Sequence, residues 1–124
     1  MSAAAAALDR VRAACLALPE TSERPSHGAP TFFIRGTRSF LTFHDDHHGD
    51  GRLAIWCAAP EGMQEALVEE DPEHYFRPPY VGVRGWLGMR LDRGIAWERV
   101  AEAIETAYLV RRPRSGSRGS GPTR

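Results

Sequence analysis

Residues 31–44 read TFFIRGTRSFLTFH, and this stretch decides the fold. Two β-rich runs, Thr31–Ile34 and Ser39–His44, flank the tetrapeptide RGTR, in which Gly36 can adopt the positive φ of a tight hairpin turn. A third β-rich run, Arg52–Cys57, follows, with alternate residues suited to opposite faces of a sheet. An antiparallel sheet is therefore predicted at the centre of the molecule.

The residues before this hairpin predict one helix and one loop. Ala3–Leu18 is rich in strong helix formers and has apolar residues at helical spacing, and Pro19 ends it. The stretch Pro19–Pro30 contains three prolines and a glycine among polar residues. We therefore expect an irregular surface loop there.

The second half of the chain predicts two strands between two helices. A short helix is expected within Ala59–Asp71, and strands near His74–Arg77 and Gly85–Leu91. The closing helix has apolar residues at steps of three or four, namely Trp97, Val100, Ile104 and Tyr108. The resulting order predicts an α+β fold, with an antiparallel sheet of about five strands and helices packed on one face.

Composition and charge indicate one domain with a basic tail. The 124 residues are 42% hydrophobic, which is enough for a single core. Of the 16 basic residues, all arginine, five lie in residues 111–124, leaving 11 against 16 acids in residues 1–110, a balance of 11 − 16 = −5. We predict a folded domain over 1–110 and a disordered Arg/Gly/Ser-rich tail over 111–124. The acidic domain argues against a broad DNA-binding face.

Cysteine usage and the N-terminal residues bear on the compartment. Cys15 and Cys57 form no CxxC pair, so neither a disulfide framework nor a zinc knuckle is indicated. The N-terminal apolar run is interrupted by Asp9 and Arg10, far short of a signal peptide core or a membrane span. We expect a cytoplasmic, monomeric protein that does not associate with membranes.

Four stretches of the chain together resemble a known family. They are CLALPET (Cys15–Thr21), HGAPTFFIRG (His27–Gly36), FRPPYVGVRGWLGMRL (Phe76–Leu91) and WERVAEAIETAYLVRRP (Trp97–Pro113). In order and spacing they are similar to the MmcQ/YjbR-like bacterial proteins, and the resemblance spans residues 8–113. It implies a fold related to the CyaY/frataxin-like α+β sandwich. It also implies DNA binding, the function with which the family is commonly labelled.

The stretch HDDHHGDG, His44–Gly51, raises the possibility of a metal site, since histidine and aspartate are common ligands of divalent metals. Its glycines and aspartates between two strands instead favour a solvated hairpin loop, and no other His or Cys motif complements it. Cys57, near His44 or His74, is more typical of a packed hydrophobe than of a nucleophile. We therefore expect no enzyme active site, metal or cofactor.

The candidate binding surface is the sheet face opposite the helices. If Ile55 and Leu87 face the helices, then Trp56, Trp86 and Arg90 point the other way. Arginines on adjoining turns and in the tail complete this candidate surface, namely Arg35, Arg38, Arg77, Arg84, Arg111 and Arg112. Exposed aromatic rings beside arginines can stack bases and contact phosphates. This predicts weak, salt-sensitive DNA binding through the sheet face, the first hairpin and the tail.

Two alternatives stay open at the level of sequence. The tryptophans can instead be covered by the proline-rich loops, with the arginines paired to the acids of the domain. The protein can also be a protein-interaction or small-ligand-binding module that uses the Trp56 and Trp86 surface and has no nucleic-acid role.

Overall fold

The helices and strands follow the predicted order with one addition. The structure is a computed structural model that describes residues 2–113. In chain order its elements are α1 (Ala3–Leu16), β1 (Thr21–Ser26), β2 (Ala29–Ile34), β3 (Arg38–Asp45), β4 (Leu53–Cys57), α2 (Met63–Glu70), β5 (Tyr75–Phe76), β6 (Leu87–Arg90) and α3 (Trp97–Arg111). Two 3-10 turns, His47–Gly49 and Val81–Arg84, lie in the connections. The strands form an antiparallel sheet in the order β1-β2-β3-β4-β6-β5, which confirms the α+β class.

Strand β1 lies where we predicted an irregular loop, so that prediction is wrong and the described sheet has six strands instead of about five. β1 pairs with β2 from Thr21 opposite Ile34 to Ser26 opposite Ala29. Pro25 is tolerated because β1 is an edge strand and its missing N–H need not pair. The Thr21 hydroxyl also donates to the carbonyl oxygens of Cys15, in the last turn of α1, and Leu18, just after the helix, which turns the chain into this strand.

A register shift in the predicted hairpin decides which side chains reach each face of the sheet. Phe32 of β2 pairs with Leu41 of β3, but Phe33 pairs with Ser39, so β3 has one extra residue, Phe40. Such a bulge lets two consecutive side chains share a face. Phe32, Phe40 and Leu41 are all fully buried, whereas Ser39 borders the opposite face.

The core lies between the sheet and the helices α1 and α3. Val11 and Cys15 of α1 and Ile104 of α3 are buried with Ile55 and Leu87 of the central strands. The predicted packing of helices on one face is therefore confirmed. The opposite face, which we call the open face, is left for the side chains that alternate with this core.

The end of the described chain bears on the predicted tail. α3 continues through Arg111, so the first residue assigned to the tail belongs to the helix. Most of the predicted disordered segment, residues 114–124, lies outside the described residues. Within residues 2–113, none of the helices has the length and apolar character needed to cross a bilayer.

Candidate functional site

The open face forms the floor of a groove of about 550 Å³, which we call the open-face groove. Its floor and rims are formed by side chains from four strands and both 3-10 turns, including Phe33, Thr42, His44, His47, Trp56, Tyr80, Arg84 and Trp86. This volume falls within the usual range of small-ligand sites, which are concave and mostly apolar with a few polar groups. The candidate site of the protein is therefore a groove with an aromatic floor.

The two tryptophans face the open side of the sheet, as predicted, but they do not form an exposed surface. Trp56 is 5% exposed and Trp86 is 4% exposed. The His44 ring stacks on Trp56 with a centroid separation of 3.6 Å and an interplanar angle of 24°. Trp86 follows the 3-10 turn Val81–Arg84, which lines the groove beside it. The tryptophans are therefore covered, as the first alternative supposed, although the rings that pack on Trp56 belong to His44 and His47 and not to a proline-rich loop, and neither indole is free to stack bases at the surface.

The stretch His44–Gly51 forms one end of the groove, which we call the histidine end. It is the predicted hairpin loop between β3 and β4, and Asp46 stabilises it by accepting a hydrogen bond from the Gly51 N–H at 2.7 Å. The His47 ring packs against Trp56 with a centroid separation of 4.8 Å. Within the described range, the histidines, cysteines and acids do not form a group of three or more able to hold a metal ion.

His44 is held in its neutral form by its position. Burial, and secondarily the nearby His47, lower the pKa of His44 to about 4, while Asp50 opposes the shift. The Nε2 atom of His44 lies 2.8 Å from the Thr42 hydroxyl, which can donate to it or accept from it. At neutral pH the floor of the histidine end is therefore uncharged.

Two buried nitrogen atoms at the histidine end have no hydrogen-bond partner among residues 2–113. They are Nε1 of Trp56 and Nε2 of His47. Buried polar atoms are nearly always paired, and leaving one unpaired costs free energy of folding. Such atoms beside a groove indicate a place where a ligand could supply the missing acceptor.

Three arginines from separate segments lie near one another beside the groove, and one of them, Arg84, lines it. The Arg111 Nε–H donates to the Ser39 carbonyl oxygen at 2.9 Å, which brings the end of α3 to the start of β3. Burial, followed by the positive charges of Arg84 and Arg38, lowers the pKa of Arg111. In residues 2–113 these three arginines form no ion pair. Their mutual repulsion is therefore uncompensated within this part of the chain.

Arg24 of β1 also lies beside the groove floor, although no pattern in the sequence selects it. Its guanidinium lies 3.7 Å from the centroid of Phe33 on the groove floor and donates to the Gly36 carbonyl oxygen at 2.9 Å. Sequence reasoning missed Arg24 because it assigned that segment to a loop. We refer to Arg24, Arg38, Arg84 and Arg111 together as the arginine cluster.

The remaining predicted site residues lie apart from this cluster. Arg35 is paired with Glu20 at 3.0 Å, and Arg90 makes two hydrogen bonds of 3.0 Å to the Asp92 carboxylate. Arg77 lines a separate depression beside Gly82, and Arg112 is exposed after the end of α3. Pairing of the arginines with acids, the other part of the first alternative, therefore holds for Arg35 and Arg90 but not, within residues 2–113, for the arginine cluster.

The loop that covers Trp86 is anchored from α2. The Gln64 side chain is buried and its Nε2 donates to the carbonyl oxygens of Gly82 at 2.9 Å and Trp86 at 2.6 Å. The first acceptor lies within the 3-10 turn that borders the groove, and the second lies two residues after it. Gln64 therefore fixes the position of the rim relative to the rest of the fold.

Replacing Gln64 with alanine is expected to lower the free energy of unfolding by roughly 1 to 2 kcal/mol, because two buried carbonyl oxygens lose their donor. Urea unfolding would measure the loss, and the intrinsic fluorescence of Trp86 should report a more exposed ring in the folded state. Glu65→Ala, on the exposed side of the same helix, is the matched control and should be close to neutral. An unchanged stability of the Gln64→Ala variant would contradict the anchoring role.

Tyr80, just before this 3-10 turn, has an unusual backbone. Its φ is 63° and its ψ is −72°, and the Val81 N–H donates to the Pro79 carbonyl oxygen at 2.7 Å, which makes a γ-turn of the rare, strained kind. The side chain is 72% exposed at the rim of the groove. Strained residues of this type concentrate at functional sites.

The cysteine interpretation is confirmed by burial. Cys57 is 1% exposed on the helix side of β4, and burial raises its pKa to about 12. A thiol in this state is a poor nucleophile, since reactivity depends on the thiolate. The His74 ring donates from Nδ1 to the Asp71 carboxylate at 2.9 Å and from Nε2 to the Arg93 carbonyl oxygen at 2.8 Å, so it is held by structural partners.

Comparison with known proteins gives one family match and two relatives. The model of the YjbR family matches residues 16–110. A crystal structure of a Deinococcus radiodurans protein with a DUF419 domain superposes with a TM-score of 0.71 at 18% identity, covering 83% of this chain and 76% of that one. An argininosuccinate lyase from Acidothermus cellulolyticus is 33% identical in an alignment of 102 residues that covers 67% of this chain. The chain spans only 21% of the length of that lyase.

Proposed function

This chain belongs to the YjbR family, and we propose that it is a binding domain, not an enzyme, whose open-face groove holds single-stranded nucleic acid weakly. The observation that carries this proposal is the arginine cluster, whose guanidinium groups have no carboxylate partner in the described part of the chain and lie beside a groove lined by aromatic rings. Single-strand binding commonly combines a positive groove for the backbone with aromatic side chains for the bases.

The distribution of charge supports an anionic ligand in spite of the acidic composition of the domain. Four carboxylates on α1 and α3 belong to the opposite side of the sheet, namely Asp9, Glu98, Glu102 and Glu105. The arginine cluster borders the open face. A phosphate placed among these guanidinium groups would relieve their repulsion and form charge-assisted hydrogen bonds. The net negative charge of residues 1–110 therefore does not represent the local charge at the groove.

The shape of the groove favours a single strand over a duplex. From Ser39 to His44 the floor follows β3 for about 16 Å, at roughly 3.3 Å per residue, and the aromatic rings lie below the rims. Bases in a duplex are stacked and paired, so they cannot enter such a recess without unpairing. The proposal thus narrows the DNA-binding hypothesis to single strands, with Arg38 of the first hairpin as one phosphate contact.

The second candidate is a small-ligand-binding role without nucleic acid. Its support is the histidine end, where Trp56 Nε1 and His47 Nε2 are unpaired within residues 2–113. A small planar molecule with an oxygen acceptor would satisfy these atoms without using the arginine cluster. The two candidates differ in salt dependence, because only phosphate contacts release counterions in proportion to their number.

Replacing both Arg84 and Arg111 with glutamine is expected to weaken binding of a labelled single-stranded oligonucleotide by about 10-fold at low salt. The slope of log K against log salt should fall by about 1.4, at roughly 0.7 per phosphate contact. Fluorescence anisotropy across a salt series measures both. Arg35→Gln is the matched control, because Arg35 lies on the same hairpin turn as Arg38 but is paired with Glu20.

The full-length chain also contains Arg114, Arg118 and Arg124, outside the described residues. A variant with glutamine at these three positions separates their contribution from that of the groove. If this variant loses all binding while the Arg84/Arg111 variant binds normally, the groove is not the site and the proposal is wrong. Binding of a duplex as tight as that of the single strand would also contradict it.

A further inference from the structure

Resting on this proposed function, we propose further that Tyr80 and His47 form a clamp that holds one unstacked base at the histidine end of the groove. We call these two side chains the aromatic clamp. The tryptophans, which the sequence suggests as base-stacking residues, form its floor, because both are buried.

The first half of the clamp is Tyr80, an exposed ring in a strained position. The γ-turn at Tyr80 is retained because Gln64 holds the adjacent 3-10 turn through the Gly82 carbonyl oxygen within it and the Trp86 carbonyl oxygen after it. The 72% exposure of the side chain leaves one face of the ring open to solvent. A rigidly placed, exposed aromatic ring is a suitable stacking surface for a base, since little conformational entropy is lost on binding.

The second half of the clamp is His47, which approaches Tyr80 across the groove. The two ring centroids are 6.2 Å apart with an interplanar angle of 85°. A flat ring stacked between two others needs about 7 Å, or roughly 3.5 Å on each side. Rotating one ring to lie parallel and opening the gap by less than 1 Å would therefore admit a base, and side-chain rotations of this size are common on binding.

The floor of the clamp supplies the polar contacts that a base can use. Trp56 Nε1 is a hydrogen-bond donor, and it has no acceptor among residues 2–113. Every base carries oxygen or nitrogen acceptors on its edges. The His47 ring packs against Trp56 with a centroid separation of 4.8 Å, so the rotation of His47 that admits a base would bring the base edge next to the indole. An abasic strand has no base edge to accept from this N–H.

The clamp is also next to the proposed phosphate contacts. Arg84 ends the 3-10 turn that starts directly after Tyr80, and its guanidinium lies 5.5 Å from the centroid of Trp86. One turn of chain therefore carries both a base-stacking ring and a phosphate-binding charge. This arrangement suits a nucleotide unit, in which base and phosphate are a short distance apart.

The test compares hexathymidylate with an abasic hexamer that has the same phosphates and no bases. The wild-type protein is expected to bind hexathymidylate roughly 5- to 100-fold more tightly, the range for stacking one base. Tyr80→Ala should remove most of this preference while leaving the affinity for the abasic strand unchanged. Val83→Ala is the matched control, since Val83 is 79% exposed on the same turn, and Tyr80→Phe should retain the preference.

A second readout follows Trp56 directly. In ¹⁵N–¹H spectra, the indole N–H resonance assigned with a Trp56→Phe variant should shift with hexathymidylate and stay in place with the abasic hexamer. If the wild-type protein binds both strands equally, the aromatic clamp is wrong while the proposed function stands. If it binds neither strand at low salt, the proposed function is wrong and the clamp with it.

Discussion

Replacing Gly88 with alanine is expected to destabilise the domain by about 3 kcal/mol, the upper part of the usual range for overpacking. A Cβ atom at this position would lie 2.5 Å from Cε2 and 2.6 Å from Cζ of Phe76, closer than real contacts allow. β6 is paired on both sides, with Gly88 opposite Trp56 of β4 and Phe76 of β5, so it cannot move away. Arg52 lies 4.1 Å over the Phe76 ring and limits its movement. Urea unfolding would measure the loss.

A double-mutant cycle identifies the cause of this loss. Phe76→Ala alone should cost roughly 3 to 5 kcal/mol, but adding Gly88→Ala to it should cost much less than in the wild-type background. The matched control is Gly82→Ala, whose added Cβ would meet the flexible Arg77 side chain, with 2.8 Å to its Cγ. An equal cost of Gly88→Ala with and without the Phe76 ring would show that the steric explanation is wrong.

Acidification is expected to remove roughly 2 to 3 kcal/mol of stability through His44, at ~1.4 kcal/mol per pH unit with allowance for solvent screening. The folded-state pKa of His44 is lowered from 6.5 to about 4, first by burial and then by His47. As the pH falls below 6.5 the unfolded chain binds a proton at this position, whereas the folded protein does so only near pH 4. The contribution of His44 is therefore fully present above pH 6.5 and is lost between pH 6.5 and about 4.

Urea unfolding of the wild-type protein and a His44→Gln variant between pH 7 and pH 4 tests this expectation. The variant should lose less stability over this range. His74→Gln is the matched control, because the Asp71 hydrogen bond and the Arg93 carbonyl raise the pKa of His74. The stabilisation that His74 contributes is present below pH 6.5 and is lost as the pH rises through its higher folded-state pKa. The stability of His74→Gln should therefore differ from that of the wild type in its dependence on pH above 6.5, not below it. Identical pH profiles for wild type and His44→Gln would refute the assignment.

Several features of the fold follow from local sequence alone. The hairpin at residues 31–44 and strand β4 were predicted because alternation of side chains and a turn glycine are short-range signals. The same alternation correctly placed Trp56 and Trp86 on the open face. Strand β1 was not predicted because its pairing with β2 is what makes it a strand. Its local signals, Pro25 and the polar side chains, favour a loop.

The candidate site depended much more on tertiary structure. Arg35 and Arg38 lie in or beside one hairpin turn and look equivalent in sequence, but Glu20 pairs with Arg35 and leaves Arg38 near Arg84 and Arg111. Whether a guanidinium group is neutralised depends on which carboxylate the fold places within about 4 Å of it. Arg84 and Arg111 follow Arg38 by 46 and 73 positions, and local sequence patterns carry no information about contacts over such separations.

The sequence by itself determined the α+β class, the central hairpin, the face of each central strand and the family, because these rest on local periodicity and on motifs in a fixed order. Tertiary structure alone decided the edge strand, the burial of Trp56 and Trp86, the arginine cluster and the proximity of Tyr80 to His47. Each of these depends on contacts between segments that local periodicity does not pair. Contacts of that kind are set by packing in three dimensions, which a one-dimensional pattern does not specify.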